Sequence, residues 1–145
     1  MLMTTPRLRK LLLGILLPGV LLAVAYSAYE NYDWPVPDAA KRMRNPLAGS
    51  PAALAAARFL YGEKCANCHG DSGKGDGPDA ASYYPSPADL SDAARMSSIT
   101  DGEIFYRITN GRRPMPSFKR KLTAEQRWQL VLLIRSLSEQ TRTTR

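Results

Sequence analysis

The sequence predicts an all-α domain of about three main helices joined by long loops, preceded by a single N-terminal transmembrane helix. Three observations carry this. "TDGE" at 100–103 and "TAEQ" at 123–126 have the form of capping boxes, each followed by apolar residues at helical spacing. No stretch of useful length alternates polar and apolar residues as a strand would. Residues 11–29 run without a formal charge.

The uncharged stretch, "LLLGILLPGVLLAVAYSAY", is nineteen residues long and follows the basic "RLRK". As a helix it spans roughly 28 Å, close to the hydrocarbon thickness of a bilayer. Basic residues before it and none directly after place the N-terminus in the cytoplasm and the rest of the chain outside. Tyr26, Tyr29, Tyr32 and Trp34 would form an aromatic belt at the outer interface. Residues 1–30 are therefore read as an anchor. The alternative is a cleaved signal peptide, with "AVA" at 23–25 as the processing site. Both readings export the domain.

Residues 31–49 carry three prolines, the basic run "KRMR" and no clear periodicity, and are read as a linker able to let the domain swing over the membrane. The domain occupies 50–145. Ser50 is a candidate N-cap with Pro51 at the first helical position, opening "PAALAAARFLYGEKC". A long loop rich in Gly, Pro, Ser and Asp follows from 70 to 98, a length that needs something to hold it. Thr100 and Glu103 open a helix presenting Ile104, Phe105 and Ile108, which stops at Gly111. Thr123 and Gln126 open a last helix with Leu130, Leu133, Ile134 and Leu137 on one face, and Trp128 and Val131 to its side. Few large apolar residues are left for a core, so a bound group in the middle would complete it.

Charge narrows the partners. The chain carries +7, and from residue 31 onward 17 basic residues face 12 acidic ones. An acidic partner fits this balance, as does a merely solvated surface. There is no basic stripe interleaved with aromatics, so nucleic acid is not expected as a partner.

Both cysteines and the only histidine of the chain fall in "CANCH", as Cys65, Cys68 and His69. A disulfide across so short a spacing closes a tiny loop and staples little. A thioredoxin-type pair needs a βαβ context, which is missing. Structural zinc needs four ligands, and the motif supplies three. Cys-x-x-Cys-His is also the signature of haem c attachment, with one thioether per thiol and the imidazole on iron. A second strong ligand to that iron makes an electron carrier, whereas an open position makes a haem enzyme or gas sensor. Met96 and Met115 are the methionines downstream of His69. Met115 lies between Pro114 and Pro116, which restrict the backbone around it without needing amide hydrogen bonds.

Taken together, these segments resemble the class I c-type cytochromes across nearly all of residues 50–140. "FLYGEKCANCHGDSGKGDGP" is similar to the family's N-terminal helix, attachment motif and glycine-rich loop. "PSPADL" resembles the segment whose proline carbonyl accepts a hydrogen bond from the ligating imidazole. "ITNGRRPMPSF" resembles the axial-methionine loop, and "LTAEQRWQLVLLIRSL" the C-terminal helix. The resemblance implies a small cytochrome c fold with one haem c on Cys65 and Cys68, His69 and Met115 as axial ligands, and Pro87 as the residue whose carbonyl accepts the imidazole's hydrogen bond. It also implies that the first and last helices cross, with Tyr61 and Trp128 near the crossing, and that Arg112, Arg113, Lys119, Arg120 and Lys121 ring the haem edge. The expected role is single-electron transfer on the outer face of a bacterial cytoplasmic membrane. The chain would act as a diffusing carrier or as a fixed subunit of a respiratory or photosynthetic complex, its redox partners offering acidic docking surfaces.

Overall fold

The computed structural model describes residues 14, 16–24 and 34–143. The chain divides into two compact units, Met1–Pro35 and Val36–Arg145. In the first, residues 16–24 are helical. The remainder of the expected anchor lies outside the described residues, and among the described residues no helix is long and apolar enough to cross a membrane.

Among the described residues, the regular elements of the second unit are all helices. Its elements are α1 (Asp38–Lys41), α2 (Pro51–Lys64), α3 (Ala66–His69), a 3-10 turn (Ala80–Ser82), α4 (Ala93–Ser97), α5 (Asp101–Asn110) and α6 (Ala124–Thr143). The long helices α2, α5 and α6 match the expected three. Among the described residues the nearest thing to a sheet is one isolated bridge between Arg112 and Met115.

Each long helix begins as its cap residues dictate. Ser50 Oγ accepts from the Ala53 amide at 3.2 Å, with Pro51 at the first turn where no amide is needed. Thr100 and Glu103 exchange hydrogen bonds of 2.7 and 3.2 Å. Thr123 and Gln126 do the same at 2.9 and 3.1 Å.

The core forms where α6 packs on α2, α5 and α4. Ala57 of α2 is fully buried, and its small side chain lets α6 come close. Leu130, Val131, Leu133 and Ile134 are buried from α6, each worth roughly 1.5–3 kcal/mol. Val131 was expected at the side of the helix, but it is wholly enclosed. Elements pack against α6 from several directions, so its buried face is wider than one stripe. Trp128 also turns inward, stacking on Phe105 of α5 with centroids 4.1 Å apart.

Two expectations are corrected. The segment 31–49 is not a free linker along its whole length, because from Val36 on it belongs to the folded unit. Val36, Ala40 and Asn45 are buried. Asn45 Nδ2 donates to the Trp128 carbonyl at 3.0 Å. Gly102 of α5 lies so close to α1 that a Cβ there would collide with the Ala40 carbonyl oxygen. The loop 70–98 likewise contains order of its own, the 3-10 turn and α4. Asp92 caps α4 by accepting from the Ala94 and Arg95 amides.

Candidate functional site

The site starts at the end of α2. The Cys65 amide still bonds to the Tyr61 carbonyl at 2.8 Å, and the chain then turns once more as α3. Both the Cys68 and His69 amides return to the Cys65 carbonyl, at 3.1 and 2.9 Å. This single turn fixes the spacing of the two sulfurs and the imidazole. Neither cysteine is in a disulfide. Burial pushes the Cys65 thiol up to about 12, helped by the neighbouring Cys68; burial and then Asp79 raise the Cys68 thiol.

Glycines wrap the following loop around this turn. The Gly75 amide donates to the His69 carbonyl at 2.8 Å, and Gly77 to the Cys68 carbonyl at 3.2 Å. A Cβ on Gly77 would strike the carbonyl oxygens of Ala66 and Asn67, so only glycine passes here. Tyr61, buried on α2, donates its hydroxyl to the Gly70 carbonyl at 2.9 Å. Burial drives the Tyr61 pKa far above its usual range, so the hydroxyl stays a donor.

The His69 ring is held by the backbone. Its Nδ1 lies 3.0 Å from the carbonyl oxygen of Ala88. A carbonyl only accepts, so Nδ1 carries the proton and Nε2 keeps its lone pair for a metal. Desolvation, partly opposed by the Ala88 hydrogen bond, lowers the imidazole pKa and keeps the ring neutral. Pro87 was expected to supply this carbonyl, and the structure moves the role one residue on. The Pro87 carbonyl points instead toward Gly75, close enough that a Cβ there would collide with it. Spacing alone does not tell adjacent carbonyls apart.

The two methionines separate clearly. Met96 lies on α4 and is 3% exposed within the core, where the Arg135 guanidinium holds its carbonyl. Met115 sits on the tight turn closed by the Arg112 amide on its own carbonyl at 2.9 Å. It is half-buried and packs on the core cluster that Cys65 also borders. Arg113, Lys119, Arg120 and Lys121 around it are exposed.

These residues fit a covalently bound haem. Cys65 and Met115 are both half-buried against the apolar core, as are Leu60 and Leu90. Paired thiols on one turn and an imidazole with a free Nε2 are the donor set that attachment requires. Among the described residues no group of three or more His, Cys, Asp and Glu could itself hold a metal ion. A cleft of about 500 Å³ opens between Gly62, Ala66 and Asp76, but none of the proposed haem-binding residues lines it. Sequence reasoning missed Ala88 and the Tyr61 hydroxyl, since a backbone acceptor and a long-range bond leave no residue-type signal.

Comparison with known proteins supports the same chemistry. The family model described as cytochrome c oxidase, cbb3-type, subunit III matches residues 52–134, more than half of the chain. No curated protein matches. Among solved structures, a chain of a reducing HAO-like protein complex from Kuenenia stuttgartiensis is similar, with 30% identity and a TM-score of 0.57. That similarity covers 76% of this chain and 53% of the other, so the present chain spans about half of its neighbour's length. The chain thus belongs to the cbb3-type cytochrome c oxidase subunit III family and is a c-type cytochrome, a domain built for haem-based electron transfer.

Proposed function

We propose that the chain carries single electrons through one haem c bound to Cys65 and Cys68, with His69 and Met115 as axial ligands. The observation that carries this reading is the His69 ring, fixed through Nδ1 on the Ala88 carbonyl with Nε2 left as the donor. When bound, the haem supplies an iron that changes oxidation state by one electron. The protein holds that centre still. Tyr61 and Ala88 fix the turn and the ring. Ligation by histidine and methionine favours a raised reduction potential.

The exposed basic residues on both sides of Met115 support docking of an acidic partner, with rates that fall as salt rises. The apolar residues 11–29 support anchoring on the outer face of a bacterial cytoplasmic membrane. A fixed place in a larger complex is favoured by two findings. The matching family is described as an oxidase subunit, and the similar structure is a chain of a protein complex.

Absorption spectra of the oxidised holoprotein test the ligand set. Methionine on iron gives a weak charge-transfer band at the red end, which Met115→Ala should abolish while opening the iron to CO. Met96→Leu should leave the band intact. A band that survives Met115→Ala, or ready CO binding by the unaltered protein, overturns the assignment.

A further inference from the structure

Helix α2 has two apolar faces. Ala53, Ala57 and Tyr61 are buried in the core. On the other side Ala52, Ala55, Ala56, Phe59 and Gly62 are all exposed, and Phe59 is 77% exposed. Residues 52, 55, 59 and 62 alternate in steps of three and four, the period of the seam between two paired helices. Gly62 adds an independent sign. A Cβ built there meets nothing within 4 Å, so no contact inside the chain explains the missing side chain. Glycine inside a helix costs about 1 kcal/mol relative to alanine. Close approach from outside the chain would account for it.

The charges beside the seam point to the occupant. With Phe59 and Gly62 at the inward positions of a heptad, Arg58 and Glu63 fall on its two flanks, and both are exposed. In a parallel pair of helices, a residue on the first flank faces the residue five further along on the opposite flank of its partner. Arg58 and Glu63 are five apart, so a second copy of the same helix sets Arg58 against Glu63 twice across the two-fold axis. Phe59 would enter the hole formed by the partner copy's Ala55, Arg58, Phe59 and Gly62. An antiparallel pair would instead set like charges on the same side. We propose that the outer face of α2 is a self-association surface, pairing two copies of this chain in parallel through Ala52, Ala55, Phe59 and Gly62 and matching Arg58 to Glu63.

A seam of one short helix buries well under the roughly 1,200 Å² of a standard stable interface, so the pair is weak and transient in solution. Confinement of both copies to one membrane would raise their effective concentration. Because α2 runs directly into Cys65, pairing sets the two attachment turns side by side at the same end of the seam. Electron exchange between copies would follow, a consequence that rests on the haem reading while the association itself does not.

The test is sedimentation of the full-length holoprotein in mild detergent over a wide concentration range. The mass should rise with concentration toward twice that of the monomer, and Phe59→Asp should hold it at one copy with an unchanged visible spectrum. Arg58→Glu or Glu63→Arg alone should weaken association about fivefold or more, from two symmetry-related pairs turned repulsive. The two reversals in one chain should restore it to within about twofold, since only a second copy carries both halves of the exchange. A mass independent of concentration overturns the proposal. So does association indifferent to Phe59→Asp, or a double reversal as weak as the single ones.

Discussion

His69 Nδ1 and the Ala88 carbonyl oxygen lie 3.0 Å apart, joining the attachment turn to a segment nineteen residues further along the chain. This bond chooses the tautomer of the only histidine and so decides which ring nitrogen faces a metal. What holds Ala88 in place therefore matters as much as the ligand itself.

Gly75 holds it from one side. Its φ is +76°, and a Cβ would collide with the Pro87 carbonyl oxygen. Gly75→Ala should cost at least about 2 kcal/mol in stability, combining left-handed strain with displacement of the 87–88 backbone. Denaturation midpoints check the stability, and haem staining should show reduced covalent loading.

Tyr61 holds the other end of the turn. Tyr61→Phe deletes the hydroxyl bond to Gly70 but leaves that carbonyl its bond from the Gly73 amide at 3.1 Å. With the acceptor still satisfied, the loss should be about 1 kcal/mol. Urea denaturation of the holoprotein measures it, and a loss above about 3 kcal/mol would point to a repacked α2 instead.

Arg135 is the clamp between α6 and the preceding helices. Its guanidinium bonds Asp101 at 2.6 Å and the carbonyls of Met96 and Ile99. Arg135→Leu strands Asp101 and both carbonyls together and should cost about 2–4 kcal/mol. Asp101→Asn keeps an acceptor in place and should cost less than about 1 kcal/mol. Thermal melts of both variants compare the two costs.

Asp89, directly after Ala88, adds an acid-sensitive contribution to the domain's stability. Slight desolvation raises its pKa, but hydrogen bonds from Ser91 and the Asp92 amide outweigh this and bring it below its ordinary value of 3.8. A carboxyl lowered on folding contributes stability that is present above its unfolded pKa and is lost as pH falls through the folded one. Stability should therefore fall below about pH 4. Asp89→Asn should flatten that acid limb, and a series of melts between pH 3 and 6 shows whether it does.

Local chemistry made much of this protein legible in its sequence. A cap residue bonds three positions away, so Ser50, Thr100 and Thr123 announced their helices without any tertiary partner. The grouping of Cys65, Cys68 and His69 was equally local, because one helical turn positions all three. What stayed hidden depends on contacts between distant segments. The 36–49 strap looks like a linker because it docks through one asparagine, a valine and backbone packing, which leave no periodic pattern. Helix α4 is five residues long, too short to show a period. The choice of Ala88 over Pro87 is a matter of which adjacent carbonyl turns inward, and side-chain identity carries no record of that. By itself the sequence determined the helices, the attachment turn and the chemistry of its donors, because these arise within a few residues. Only the tertiary structure decided which carbonyl orients the imidazole, because that depends on where remote backbone comes to rest.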